Sequence, residues 1–196
     1  MSDNKSVMIA GVGGQGTLLT SRIIGNVLTA CGFDVKLSEV HGMAQRGGSV
    51  VTFVKYGRKV FSPVIDFGEA DFILCFELLE AARRLPYLRD NGKMIINNRR
   101  ISPMPVITGA AEYPEGILGK IRGLGADFIA ADALSLALEA GSAKAVNTVM
   151  LGLFSAISEF PSSAWEKALK EEIKPGFFEL NKKAFLLGRA ACGNTE

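Results

Sequence analysis

Cysteine and histidine are scarce in this sequence. The three cysteines, Cys31, Cys75 and Cys192, lie far apart without a C-x-x-C pair, and His41 is the single histidine. Iron–sulfur clusters and structural zinc sites need several closely spaced thiolate or imidazole ligands, so we expect neither within this chain. A metal site would have to be built from carboxylates, and no carboxylate cluster suggests one. Because Cys75 falls inside the apolar run 72–76, we predict that it packs in the core.

Strong net charge and long apolar runs are also missing. The formal net charge is +2, and no basic cluster is larger than 98–100 or 182–183, so the sequence gives no reason to expect nucleic-acid binding. The longest mostly apolar stretch, 149–157, is far shorter than the roughly 20 residues that span a bilayer. The first residues, Met-Ser-Asp-Asn-Lys, contain no apolar signal region. We therefore expect a cytoplasmic protein that binds neither nucleic acid nor membrane.

Length and composition predict a folded domain. The chain has 196 residues, of which 48% are apolar and 21% charged, an ordinary balance for a globular protein. This length suits one domain with a sizeable core. The sequence contains no internal repeat and no low-complexity linker. We predict one domain over 1–196, with a core at about 5–131 and a helical C-terminal section at about 132–191.

Strand-like and helix-like segments alternate as far as residue 131, the pattern of a parallel sheet with helices packed on it. We therefore predict an α/β, Rossmann-like fold with a mostly parallel sheet and helices on both faces. The predicted strands are 7–10, 33–40, 49–56, 59–62, 70–76, 93–97 and 127–131. The predicted helices are 18–30, 77–85, 114–122, 133–140, 147–160, 164–173 and 177–191, and 101–113 is expected to be irregular or an edge strand. We expect Asp132 to cap the fourth helix, and Ser162 or Ser163 to cap the sixth.

A glycine-rich loop follows the first predicted strand. Residues 11–17 read Gly-Val-Gly-Gly-Gln-Gly-Thr, a G-x-G-x-x-G pattern at a strand-to-helix turn. Glycines there permit a tight turn and let phosphates approach the backbone, while the helix directs unpaired N–H groups at the loop. An NAD site would use Glu39, which ends the second predicted strand, for the ribose. Alternatively, the glycines only allow close packing of strand and helix, and no ligand binds.

A second polar loop, 41–49, combines three glycines with the donors His41, Gln45, Arg46 and Ser49. The guanidinium of Arg46 could bind a carboxylate or a phosphate through two parallel hydrogen bonds. His41 could shuttle a proton. Both side chains could instead bind backbone groups and only shape the loop. No nucleophile stands beside a base and no carboxylate pair stands out, so the chain does not look like a self-sufficient catalyst.

Together the two loops resemble the gamma-type subunit of 2-oxoacid:ferredoxin oxidoreductases. The stretch 39–50, Glu-Val-His-Gly-Met-Ala-Gln-Arg-Gly-Gly-Ser-Val, is most similar to the beta subunit of indolepyruvate ferredoxin oxidoreductase. The resemblance continues through 147–152 and a tail with Trp165, Asn181, Ala184, Phe185 and Gly188, and so covers nearly the whole chain.

The resemblance implies an enzyme that oxidatively decarboxylates a 2-oxoacid to an acyl-CoA and reduces ferredoxin. This chain would be an accessory subunit without catalytic residues of its own. Thiamine diphosphate, magnesium and [4Fe–4S] clusters would lie in a larger partner, because this chain lacks a cysteine set and 97–98 lacks the Gly-Asp-Gly that precedes the paired asparagines of a thiamine-diphosphate motif. The loop that faces coenzyme A phosphates would consist of Gly11, Gly13, Gly14, Gln15, Gly16 and Thr17.

The resemblance also implies that 41–49 lies at the partner interface near the substrate pocket, with Arg46 binding the 2-oxoacid carboxylate or the partner. The 2-oxoacid is expected to be an aryl pyruvate. Two alternatives stay open at this point: a free-standing Rossmann-type protein that binds NAD(P) or FAD, and a scaffold whose loops only bind a partner. The sequence leaves open whether the isolated chain forms a homodimer.

Overall fold

The computed structural model describes residues 4–42 and 47–194. Six strands occur in these ranges: β1 (Lys5–Val12), β2 (Asp34–His41), β3 (Ser49–Gly57), β4 (Ala70–Cys75), β5 (Leu88–Asn97) and β6 (Asp127–Ala131). The helices of the same ranges are α1 (Thr17–Ala30), α2 (Leu78–Arg84), α3 (Met104–Ile107), α4 (Ile117–Gly123), α5 (Ala133–Ala140), α6 (Val146–Ile157), α7 (Ser162–Glu172) and α8 (Phe178–Ala191).

The strands form one sheet in the order β2-β3-β1-β4-β5-β6. Strands β1, β4, β5 and β6 run parallel, whereas β3 lies antiparallel to both β1 and β2. The sheet is therefore mostly parallel, as predicted. The carboxyl ends of β1, β4, β5 and β6 meet at one edge, which is where open α/β sheets commonly bind ligands.

The alternation of side chains along β1 separates two hydrophobic cores. Val7 and Ile9 pack on one face with α1 and the C-terminal helices, whereas Met8 and Ala10 pack on the other with α2 and α4. Successive residues of a strand point to opposite faces, so a strand covered by helices on both sides is apolar throughout. This explains why residues 7–10 form an uninterrupted apolar run, and it confirms the prediction of helices on both faces.

Helices α6 and α8 pack unusually close together, at two glycines. A Cβ added to Gly152 would collide with the carbonyl oxygen of Phe185, and one added to Gly188 would collide with that of Val149. Beside this contact, Trp165 is fully buried, and its ring packs edge-on to Phe154 with centroids 5.9 Å apart. The helical C-terminal section thus forms much of the larger core.

Two local predictions were wrong. Residues 59–62 do not form a strand: the segment is irregular, and its Val60 N–H donates to Asp34 Oδ2 at 2.8 Å. The residue preceding α7 is Pro161, without a side-chain cap. The segment 101–113 is irregular as predicted, apart from the short helix α3. By contrast, Asp132 caps α5 as predicted, since its Oδ1 accepts the N–H of Ser135 at 3.0 Å.

The structure also tests the prediction that Cys75 packs in the core. Cys75 is fully buried at the end of β4, which confirms its place in the core. Burial, with smaller contributions from Glu80 and Glu77, raises the pKa of its thiol well above the usual value, so the thiol is unreactive.

Among the described residues, no helix is long and apolar enough to cross a membrane.

Candidate functional site

The glycine-rich loop lies at the carboxyl end of β1, and Gln15 holds its shape. The Val12 N–H donates to Gln15 Oε1 at 2.6 Å, and Gln15 Nε2 donates to the Phe76 carbonyl, just beyond β4, at 3.1 Å. Gly11 belongs to β1 itself, and a Cβ there would stand 2.8 Å from Gln15 Oε1. The side chain of Gln15 therefore holds the loop in shape, and the absence of a Cβ at Gly11 leaves room for that side chain.

Helix α1 begins directly after this loop without a cap. Gly16 occupies the N-cap position in the left-handed conformation, with φ 80°, and the first turn contains no carboxylate. The first N–H groups of a helix have no partner within it, and they carry the positive end of its dipole. The turn that starts at Thr17 consequently offers unoccupied donors, an arrangement that favours an anion.

The fold brings the two loops predicted from the sequence into direct contact. The Gly13 N–H donates to the Gly48 carbonyl at 2.9 Å, and the Gly47 N–H approaches the Gly13 carbonyl at 3.5 Å. His41 ends β2 opposite Val50 and is exposed, with Nδ1 3.3 Å from the Gly42 carbonyl. The two loops therefore form one surface.

Two of the predicted binding residues, Gln45 and Arg46, lie outside the described residues, together with Met43 and Ala44. Arg46 as a carboxylate-binding group therefore stays a prediction.

Ser49 is fixed by an ionic cluster around the buried carboxylate of Glu80. Its Oγ donates to Glu80 Oε2 at 2.7 Å and accepts from Arg84 Nη2 at 2.9 Å. Glu80 is fully buried, and Arg83 Nη1 binds its other oxygen at 2.7 Å. In the sequence, these arginines stand three and four residues after Glu80, a spacing that predicts ion pairs within a helix. It does not predict the link from Glu80 to Ser49 in β3. Ser49 thus anchors the strand that follows the second loop.

Each side of the glycine-rich loop borders a cleft. The first, which we call the Glu39 cleft, has a volume of about 250 Å³ and is lined by Glu39 and His41 together with Gly13, Gly14, Gly16, Thr17, Leu18 and Val50. The second, the Arg99 cleft, has a volume of about 660 Å³ and is lined by Arg99, Lys144 and Asn147 together with Val12, Gly13, Gly14, Gln15, Gly16, Ile101, Ala143 and Val146. Sequence reasoning did not select Arg99, Lys144 or Asn147 as site residues.

Asn97 has a structural role at the same edge of the sheet. It is fully buried, its Nδ2 donates to the Phe76 carbonyl at 3.1 Å, and its Oδ1 accepts from the Ala133 N–H at 3.2 Å. These bonds join the ends of β4 and β5 to α5. Burial and these two hydrogen bonds account for Asn97 as part of the framework of the sheet.

The strand order argues against an ordinary dinucleotide site. In the Rossmann arrangement the acidic residue that binds the ribose ends the strand next to β1. Here β3 lies between β1 and β2, so Glu39 is one strand further from the glycine-rich loop. Its carboxylate accepts from Thr52 Oγ1 at 3.4 Å. Neighbouring strands lie about 4.8 Å apart, so Glu39 is displaced by one strand from the Rossmann position, although it still lines a cleft with the glycine-rich loop.

The sheet order and the open loop between β1 and α1 thus define an α/β protein with its candidate site at the carboxyl edge of a mostly parallel sheet. The family model described as "Pyruvate ferredoxin/flavodoxin oxidoreductase" matches residues 6–191, and the chain belongs to this family. This confirms the resemblance drawn from 11–17 and 39–50.

A curated relative agrees with this assignment. The indolepyruvate oxidoreductase subunit IorB of Thermococcus kodakarensis is 40% identical over 194 residues, which cover 95% of this chain and 95% of the relative. The chain therefore corresponds in extent to an accessory subunit of a 2-oxoacid:ferredoxin oxidoreductase.

Solved structures show the same fold. The gamma subunit of the keto/oxoacid ferredoxin oxidoreductase of Geobacter sulfurreducens aligns with a TM-score of 0.73 at 21% identity, covering 97% of this chain and 99% of that one. The 2-oxoglutarate:ferredoxin oxidoreductase of Magnetococcus marinus, solved with 2-oxoglutarate, coenzyme A and succinyl-CoA bound, aligns with a TM-score of 0.75 at 15% identity. That alignment covers 100% of this chain and 32% of the longer one.

Proposed function

We propose that this chain is the accessory subunit of a cytoplasmic oxidoreductase that converts indolepyruvate, or another aryl pyruvate, to its acyl-CoA and reduces ferredoxin. The relative from Thermococcus kodakarensis supports the choice of indolepyruvate. A larger partner would carry thiamine diphosphate, magnesium and [4Fe–4S] clusters. Within 4–42 and 47–194, no group of three or more His, Cys, Asp or Glu side chains could hold a metal ion. This chain would complete the site rather than perform the redox chemistry.

The observation that carries the proposal is the uncapped start of α1 behind an open glycine-rich loop. A Cβ at Gly14 would meet no atom within 4 Å, so a ligand can approach the backbone there. A hydrogen bond from a backbone N–H to a charged oxygen contributes about 1.5–3 kcal/mol, and the helix dipole adds roughly 0.3–1 kcal/mol. The phosphates of coenzyme A supply such oxygens. When bound, coenzyme A supplies the thiol that accepts the acyl group.

The second loop would serve the 2-oxoacid or the partner. It follows His41, which is exposed, and its end is tied to the glycine-rich loop through Gly48 and to the core through Ser49. Arg46 would bind the carboxylate of the 2-oxoacid or a partner group, with His41, Gln45 and Ser49 beside it. This arrangement would bring the two substrates of the enzyme toward one surface of the accessory subunit.

The test is Gly14→Asp in the assembled enzyme. The carboxylate would repel the phosphates and block their approach, so the KM for coenzyme A should rise at least about tenfold while the KM for the 2-oxoacid stays within about twofold. Gly125→Asp is the matched control, because Gly125 also has a positive φ and no neighbour within 4 Å of its added Cβ. It precedes β6, at the opposite edge of the sheet from the loop.

An unchanged KM for coenzyme A in an assembled Gly14→Asp enzyme would refute the role of the loop. Saturable binding of NAD to the native chain, measured by calorimetry, would favour a free-standing dinucleotide-binding protein instead. Comparing turnover of indolepyruvate, phenylpyruvate, pyruvate and 2-oxoglutarate tests the substrate. The proposal expects the aryl pyruvates to have the higher kcat/KM.

A further inference from the structure

A cavity opens at the amino edge of the sheet, opposite the carboxyl edge that holds the glycine-rich loop. It lies where α6 ends and where β1 begins, since Lys5 is paired there with Tyr56 near the end of β3. We call it the aromatic cavity, and it is lined by four rings and two charged side chains: Phe33, Tyr56, Phe72, Phe160, Lys5 and Glu159. None of these residues lines the Glu39 cleft or the Arg99 cleft. The aromatic cavity is therefore a separate feature of the fold.

The rings of the aromatic cavity favour an aromatic occupant. Phe33, Tyr56 and Phe160 pack edge-on to one another, with centroids 5.4–6.1 Å apart, an arrangement that aromatic rings prefer and that a further ring can join. Phe33 is 37% exposed, so a ligand can reach these rings from solvent. The cavity volume is about 170 Å³, and an apolar cavity of about 150 Å³ is large enough to bind benzene. The aromatic cavity thus has room for one six-membered ring.

Two opposite charges stand beside these rings. Lys5 and Glu159 are both exposed, and neither forms an ion pair with the other or with any other described residue. A ligand that carries a carboxylate and an ammonium group can pair with both. An aromatic α-amino acid has these two groups on its α-carbon, one methylene away from the ring.

Tyr56 adds a hydrogen-bond donor to the aromatic cavity. The residue is only 3% exposed, and its hydroxyl forms no hydrogen bond with a described residue. Burial, followed by the charges of Asp71 and Glu159, raises the pKa of Tyr56 above its usual value. The hydroxyl therefore stays protonated at neutral pH and is an unused donor for a ligand carboxylate.

We infer that the aromatic cavity binds an aromatic α-amino acid, with the ring against Phe33, Tyr56 and Phe160. The carboxylate of this ligand pairs with Lys5, and its ammonium group pairs with Glu159. An aryl pyruvate has the same ring and carboxylate but a carbonyl in place of the ammonium group. Glu159 thus distinguishes the amino acid from the corresponding 2-oxoacid. The inference does not rest on the proposed function, because this site lies at the other edge of the sheet.

The experiment is isothermal titration calorimetry of the native full-length chain with three probes. L-Phenylalanine should bind saturably, with a Kd of about 1 mM or lower, as expected for a ligand of this size. L-Alanine, which lacks the ring, should bind at least about tenfold more weakly. Phenylpyruvate, which lacks the ammonium group, should bind at least about threefold more weakly than L-phenylalanine.

Two charge variants assign the contacts. Glu159→Gln should raise the Kd for L-phenylalanine about threefold but should bind phenylpyruvate at least as well as the native chain does, because a repulsive carboxylate is removed. Lys5→Ala should raise the Kd for both ligands about threefold. The matched controls are Glu139→Gln and Lys120→Ala, because both residues are exposed and neither lines the aromatic cavity. Each control should bind L-phenylalanine as the native chain does.

Phe33→Ala tests the ring contact. It should raise the Kd for L-phenylalanine at least about tenfold, and circular dichroism checks that this variant is folded. The native chain gives the decisive results whether or not the variant folds. No saturable binding at about 10 mM L-phenylalanine, ten times the expected Kd, would overturn the inference. Equal affinities for L-phenylalanine and L-alanine, or for L-phenylalanine and phenylpyruvate, would do the same. None of these results affects the proposed function, which Gly14→Asp tests separately.

Discussion

The close contact between α6 and α8 predicts the outcome of a one-methyl substitution. Gly152 lies in the middle of α6, where a Cβ would collide with the carbonyl oxygen of Phe185 and stand 2.8 Å from the N–H nitrogen of Arg189. Both obstacles belong to the backbone of α8 and cannot rotate away. Gly152→Ala therefore has to push α8 outward, which loosens the packing of Phe154 and Trp165 beside it.

The loss of stability caused by Gly152→Ala follows from two opposing contributions. Inserting a methyl group into a well-packed core costs about 1–3 kcal/mol, and an obstacle made of backbone places the cost near about 3 kcal/mol. Alanine is favoured over glycine inside a helix by about 1 kcal/mol. The net loss is about 2 kcal/mol, which for a chain of this size lowers the Tm by roughly 4–8 °C.

Thermal unfolding of the purified chain, followed by circular dichroism, measures this shift. Gly119→Ala is the matched control, because Gly119 is exposed in α4 and a Cβ there would meet no atom within 4 Å. The same substitution should raise the Tm there, by at most about 4 °C. A Gly152→Ala chain that melts at or above the native temperature would show that α6 and α8 are not held together by this contact.

Two further substitutions test anchors of the fold. Ser49→Ala removes two hydrogen bonds to charged groups and should lower the free energy of unfolding by about 2 kcal/mol in urea titrations, whereas Ser49→Thr, which keeps the hydroxyl, should retain most of it. Asp132→Ala removes the cap of α5 and should cost about 1 kcal/mol at neutral pH. Hydrogen bonds from Ser135 lower the pKa of Asp132 below 3.8, so the carboxylate stabilises the native chain above that pH. The contribution of Asp132 is lost as the pH falls through its lowered pKa, so the free energies of unfolding of the native and Asp132→Ala chains should then differ less. A difference in free energy of unfolding that stays constant down to acid pH would contradict the assignment of Asp132 as the cap.

Local patterns in the sequence predicted most elements but not their arrangement. The apolar run 7–10, the β-branched run 49–56 and the capped helix after Asp132 each contain their own signal, namely periodicity, propensity or a cap residue. The placement of β3 between β1 and β2 depends on pairing between distant segments, and no local pattern encodes it. The segment 59–62 resembles a strand, yet side chains such as Asp34 satisfy its backbone instead of a neighbouring strand.

The candidate site was likewise only partly predictable from local sequence. The glycine-rich loop could be recognised because its residues are adjacent in sequence. The Arg99 cleft could not, since Arg99 follows β5, Lys144 precedes α6 and the loop follows β1. Only the meeting of these elements at the carboxyl edge of the sheet brings the three together. The cluster around Glu80 was missed for a similar reason: an acidic residue in a helix is usually exposed, and its partner Ser49 comes from a distant strand.

The left-handed conformation of Gly16 prevents one common way of stabilising the start of α1. A serine, threonine or aspartate at an N-cap usually acts from an extended backbone, and with φ 80° such a residue would be strained. Any side chain there would also meet Asn147 Nδ2. The common route to a more stable helix is therefore closed at α1, and roughly a few tenths of a kcal/mol, the difference between glycine and a serine or aspartate at an N-cap, is forgone where the donors stay open. Gains in heat resistance would have to come from other parts of the chain, because stabilising this turn would obstruct the surface that it offers to a ligand.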